Sequence, residues 1–188
     1  MDQHLLTIIA AFVVIVAVVA VIVFVAIHKR RSQNLRARFG PEYDRVVKQA
    51  GDLHRGEDVL QFRTKRREKL PIVALTPSDR SSFMSRWVGI QSRFVDDPRG
   101  AVSLADQLVS EVMKARGYPV GDFEQRSADI SVDHPVLVEN YRTAHDIALH
   151  HSRGQASTED LRKAMVHYHL LFDQLLGNPL PERKEAQG

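Results

Sequence analysis

The chain has 188 residues, 26 of them Lys or Arg against 23 Asp or Glu, for a formal net charge of +3. With 44% hydrophobic residues it is too apolar to be disordered throughout, and its length suits one domain with an appendage. The absence of cysteine excludes a disulfide framework and Cys-ligated metal centres, and leaves the compartment open.

The appendage comes first. From Leu5 to Ile27 there is no charged residue, and only Thr7 is polar. At about 1.5 Å per residue this run makes a helix of roughly 34 Å, enough to cross a hydrocarbon core of about 30 Å. Its Val, Ile and Ala would also suit a strand in water. A lone strand in lipid cannot satisfy its backbone hydrogen bonds, so the run predicts a transmembrane helix over 5–27. The competing reading is a cleaved secretory signal, which needs a positive n-region, an apolar stretch of about 7–15 residues and a small-x-small site. Here Met1–His4 carry no Lys or Arg, and the longer run ends in His28-Lys29-Arg30-Arg31. The anchor reading fits better. Lys29, Arg30, Arg31, Arg36 and Arg38 follow the run and no cation precedes it. The positive-inside bias therefore predicts residues 1–4 outside, the bulk of the chain cytoplasmic, and insertion in the plasma membrane. The same five cations are the expected contacts with anionic lipid headgroups.

Charge is uneven beyond the run. Residues 29–69 hold 13 basic and 6 acidic groups, a surplus of +7, whereas residues 70–188 come to −3. The basic part, 28–70, reads as a helical stalk. Pro41 suits a first helical position, and Phe39, Val46, Leu53 and Leu60 recur every seven residues. The companion positions Gln49, Gly56 and Arg63 are polar or small, so a coiled-coil seam is incomplete, and Gly51 and Gly56 are candidate breaks.

Residues 71–177 read as a bundle of about four helices. Thr76-Pro77-Ser78-Asp79 is a cap, an N1 proline and an early acid, opening a helix with Phe83, Trp87, Ile90 and Phe94 on one face. Asp97-Pro98 starts the next, with Val102, Ala105, Val109 and Val112 in its stripe, and Gly117-Tyr118-Pro119 stops it. Residues 120–133 look irregular, with one helical turn around Asp122–Ala128. A third helix is expected from Pro135 to Ser152, with Val138, Tyr141 and His145 inward. The fourth opens at Ser157-Thr158-Glu159-Asp160, carries Leu161, Met165, Tyr168, Phe172, Leu175 and Leu176 on one face, and ends at Gly177-Asn178-Pro179. A polar tail, 178–188, is expected to be disordered. The predicted class is all-α.

Several stretches are familiar. They are Arg86-Trp87-Val88-Gly89-Ile90-Gln91 with Arg93-Phe94-Val95-Asp96-Asp97-Pro98, Arg116-Gly117-Tyr118-Pro119-Val120, Asp129-Ile130-Ser131-Val132-Asp133-His134-Pro135, and Thr158-Glu159-Asp160-Leu161 leading into Met165-Val166-His167-Tyr168. The chain resembles, over roughly residues 36–176, a group of uncharacterised bacterial membrane-anchored proteins. The resemblance implies a shared helical domain behind a single transmembrane helix and carries no activity, cofactor or catalytic residue with it.

Candidate chemistry is sparse. His134, His145, His150, His151, His167 and His169 fall in the last third, and Asp146 and His150 share a helix face. A metal-dependent enzyme could use Asp146, His150 and a histidine of the fourth helix, although each helix supplies at most a pair and no HExxH occurs. Asp96-Asp97 and Asp129 to Asp133 could pair carboxylates for acid–base work, yet Asp97 and Asp133 stand where helix caps belong. Thr64-Lys65-Arg66-Arg67-Glu68-Lys69 could bind nucleic-acid phosphates; without aromatic interleaving, a solvated or lipid-facing helix explains it better. No nucleophile elbow or P-loop is present. These readings point to a membrane-tethered module that binds a protein partner or itself at the cytoplasmic face, with no catalytic, metal or cofactor residue to assign.

Overall fold

A computed structural model of the chain describes residues 3–119, 121–152 and 157–177. The expected tail 178–188 and the first two residues of the expected outer segment lie outside the described residues. Within them are eight helices and no strand: α1 Gln3–Phe39, α2 Pro41–Ala50, α3 Leu53–Glu68, α4 Pro77–Arg93, α5 Pro98–Ala115, α6 Phe123–Asp133, α7 Leu137–Ser152 and α8 Thr158–Leu176.

Local chemistry sets most boundaries. Thr76, Asp97 and Asp122 each accept a backbone N–H three residues on, and Ser157 and Asp160 complete a reciprocal capping box. Gly51, Gly117 and Gly177 end helices with positive φ, a conformation that a Cβ would strain.

Two hydrophobic cores follow. The larger joins α4, α5, α7 and α8 through Trp87, Leu108, Val109, Tyr141, Tyr168 and Phe172. The smaller holds Leu35 and Phe39 of α1, Tyr43 and Val46 of α2, Leu60 of α3 and Val132 of α6. Helix α6 links them, because Ile130 enters the larger core and Val132 the smaller.

Three sequence expectations need correction. The 28–70 stretch is not an extended stalk: the left-handed turn at Gly51 folds α3 back, so α1, α2 and α3 form a three-helix layer that packs on α6. Gly56 does not break α3. A Cβ there would lie 2.7 Å from Val47 Cα, so the glycine lets α2 and α3 approach closely. Leu53 stays out of the seam, 44% exposed, while Phe39, Val46 and Leu60 are buried. Second, the distal bundle has five helices, because 123–133 forms a full α6 rather than one turn. Its buried positions include Ser127, Asp129 and Ser131, so no apolar stripe advertised it. Third, Asp133 caps no helix start; it ends α6 and accepts hydrogen bonds from Arg67 and Tyr118.

Among the described residues, no helix is long and apolar enough to cross a membrane. Of the apolar run, the described side chains are those of Phe12 and residues 15–27.

Candidate membrane-proximal site

Helix α1 continues without a break from the apolar run into the smaller core, where Leu35 and Phe39 are buried. The described side chains of the apolar segment are exposed. Phe12 and the large side chains from Ile15 to Ile27 are 49–67% exposed, and 21–25 are exposed at every position, which covers all sides of a helix.

The five expected headgroup cations follow at once, and the structure treats them differently. Lys29, Arg30 and Arg38 are exposed. Arg31 donates to Asp58 at 2.6 Å and lies 3.9 Å from Glu57. Arg36 is exposed, with its guanidinium 4.9 Å from the centre of the Tyr43 ring. Between α1 and α3 runs an open groove of about 570 Å³, whose lining includes Arg31, Asn34, Arg38, Gln61, Lys65 and Glu68. With Arg31 held by Asp58, Arg38 and Lys65 against Glu68 leave the groove a small surplus of positive charge.

Beneath this basic surface lies a set of buried and part-buried ion pairs that joins the α1–α3 layer to the bundle. Glu42 takes a two-pronged hydrogen bond from Arg142 of α7, at 2.7 and 3.0 Å, and another from Arg63 at 2.7 Å. Glu57 accepts from Ser32 and from Tyr43. Arg66 donates to Asp129, and Arg67 to Asp133. Burial pushes the Arg142 guanidinium below its usual range, opposed by the Glu42 carboxylate. The Arg63–Lys69 cluster is therefore divided: the part-buried Arg63, Arg66 and Arg67 each hold a carboxylate, while Lys65 and Lys69 face solvent. The sequence offered only basic residues at 63, 66 and 67 and acids at 42, 129 and 133, which no local rule connects.

The distal histidines occupy separate places. His145 stacks on Phe123 with centroids 3.6 Å apart, and its Nδ1 lies 4.0 Å from Asp106. Asp106 also accepts from the Tyr168 hydroxyl at 3.1 Å. Burial, then the Asp106 charge, drives the Tyr168 pKa far up, so this hydroxyl is a fixed donor rather than a nucleophile. His169 stacks on Trp87 with centroids 5.0 Å apart. His167 is half-buried, and desolvation lowers its pKa, as it does for His134 and His145. Asp146 and His150, the pair weighed as metal ligands, are exposed; the His151 side chain lies outside the described ones. Among the described residues, no group of three His, Asp or Glu side chains could hold a metal ion. Of the two acid pairs, Asp97 is committed to capping α5, and Asp129 and Asp133 to arginines.

Protein-family models, curated proteins and solved structures give no match to this chain.

Proposed function

We propose that this chain is a single-pass membrane protein whose cytoplasmic helical domain is an interaction module, docking a protein partner or a second copy beside the inner leaflet. One observation carries the membrane part: the bare apolar flank of α1 leads directly into a basic collar. Eleven large apolar side chains between Phe12 and Ile27 are about half exposed or more. At about 1.5–3 kcal/mol for fully burying each, leaving them in water forgoes on the order of 10 kcal/mol. That is comparable to the whole stability of a typical domain, about 5–15 kcal/mol. An apolar surrounding removes this penalty, and the helical span from Leu5 has the length of a bilayer core. The exposed Lys29 and Arg30, with Arg31 beside them, follow within about one turn of the apolar run and suit anionic headgroups, each worth about 1 kcal/mol near the surface.

The partner part is supported by the distal bundle. A cleft of about 210 Å³ between α4 and α8 is lined by Trp87, Phe94, Met165 and Val166, with Gln91 and Arg162 among its polar groups. Val95, at the α4–α5 turn, is 82% exposed. An apolar depression with polar groups beside it suits a side-chain anchor from another protein.

Membrane fractionation with a carbonate wash tests the anchor, and external protease on sealed cells tests its direction. The expected result is an intact chain in the washed membrane pellet, with the domain protected until the cells are opened. A chain released by carbonate, or a domain cleaved from outside, overturns the reading. For the partner, cross-linking at Val95→Cys followed by sizing should give a discrete adduct; a chain that stays monomeric and free of adducts overturns it.

A further inference from the structure

The connection between α2 and α3 is the part of the domain that reaches back toward the apolar half of α1. Contacts between α1 and α3 climb together. The His28 and His54 ring centroids are 6.1 Å apart, Arg31 and Ser32 donate to Asp58 and Glu57, and Leu35 meets Leu60 in the smaller core. The two helices therefore run parallel, and α3 begins at the level where the apolar run gives way to Lys29 and Arg30. Its first residue is Leu53.

Leu53 is the one member of the seven-residue series that the core does not take. It is 44% exposed, whereas Phe39, Val46 and Leu60 are at 3% or less. Helical Cα–Cβ bonds lean toward the N-terminus, so on α3 this side chain leans toward the apolar half of α1. Lys48, in the last turn of α2, and Arg55, in the first turn of α3, are exposed near the same connection. Asp52, the acid of the same turn, is occupied as the α3 cap, accepting the Arg55 N–H at 2.9 Å.

We infer that the α2–α3 turn is a second membrane contact, with Leu53 entering the boundary between headgroups and acyl chains while Lys48 and Arg55 meet anionic headgroups. This rests on the anchor reading and deepens it. If the hydrocarbon edge lies at Ile27, His28 is one helical rise, about 1.5 Å, beyond it. The headgroup layer is about 5–7 Å deep on each side, so His54 and the residue before it fall inside that layer. Arg38, eleven residues past Ile27, stands about 16 Å out, beyond it. A transmembrane helix alone leaves its rotation about its own axis unset, and anchors at the interface set it. The turn lies one helix spacing to the side of α1, about 8–10 Å. Planted there, it fixes which way the α4–α8 cleft faces along the membrane.

The chain has no native cysteine, so single-site spin labels report without background. Leu53→Cys, Ile22→Cys and Val95→Cys, all at exposed positions, are labelled in the full chain and reconstituted into vesicles of one part phosphatidylglycerol to three parts phosphatidylcholine. Collision of each label with dissolved oxygen, which favours lipid, and with an aqueous nickel chelate gives its depth. The expected result is a lipid-like signal at 22, a boundary signal at 53 with nickel collisions several-fold below those at 95, and partial loss of that protection when phosphatidylglycerol is omitted. A lipid-like label at 22 together with one at 53 as open to nickel as that at 95 overturns this inference and leaves the anchor standing. A water-exposed label at 22 overturns both.

Discussion

Removing the Glu42 carboxylate is the sharpest test of how the α1–α3 layer is held to the bundle. Glu42 lies in the first turn of α2, with a side chain only 1% exposed, and meets Arg142 of α7 across 100 residues of sequence. Arg142 has a guanidinium 8% exposed, and its Nε has no hydrogen-bond partner. Glu42→Ala leaves that cation buried and uncompensated, since Arg63 can still turn to Ser131 but, among the described residues, Arg142 has no second acceptor at its Nη atoms. Breaking a buried pair from one side costs about 3–5 kcal/mol. For a chain of this size each kcal/mol moves Tm by about 2–4 °C, so the expected fall is about 6–20 °C. Trp87 is the only tryptophan, and its fluorescence on heating in detergent follows the bundle without interference from the apolar half of α1. Glu42→Met combined with Arg142→Leu removes both charges and is expected to return to within about 1–2 kcal/mol of the parent, because the desolvation cost of both ions disappears. A loss below about 1 kcal/mol for Glu42→Ala, or a double variant as unstable as the sum of its two singles, refutes the reasoning.

Other outcomes follow from the packing. Gly56→Ala drives a Cβ into the Val47 backbone and should cost about 1–3 kcal/mol in chemical denaturation. Gly89→Ala, with nothing within 4 Å of the new Cβ in the middle of α4, should stabilise by about 0.5–1 kcal/mol. Trp87→Ala, which empties a buried site stacked against Phe172 and His169, should cost about 3–5 kcal/mol by urea midpoint. Burial holds His134, His145 and His167 below the ordinary value of 6.5, so the unfolded chain takes up protons first as pH falls. Stability should be level above about pH 6.5 and decline below it; a variant with all three changed to Gln should show a shallower decline in denaturant titrations across that range.

Elements were legible where their cause is local. The apolar run, the proline and aspartate starts, the glycine stops and the stripe from Leu161 to Leu176 are patterns within one turn or one helix, and the structure bears out α4, α5 and α8 almost to the residue. Helix α6 escaped notice because its buried face carries Ser127, Asp129 and Ser131 beside Ile130, and periodicity counts only apolar residues. The histidines looked like a cluster along the chain; each ring instead depends on what packs against it from elsewhere, Phe123 for His145 and Trp87 for His169.

Composition and order alone determined an all-helical chain with a charge-free apolar start, a basic collar and capped helices, because burial period, capping and left-handed turns act over a few residues. Only the tertiary structure decided that the basic stretch folds back as a three-helix layer, that its Arg66 and Arg67 meet carboxylates 63 and 66 residues away, and that its Glu42 meets Arg142 100 residues on. A lone charge carries no address for its partner. Whether Arg63, Arg66 and Arg67 face water, lipid or Glu42, Asp129 and Asp133 depends on where α6 and α7 come to rest, and that is a property of the packed cores rather than of any segment.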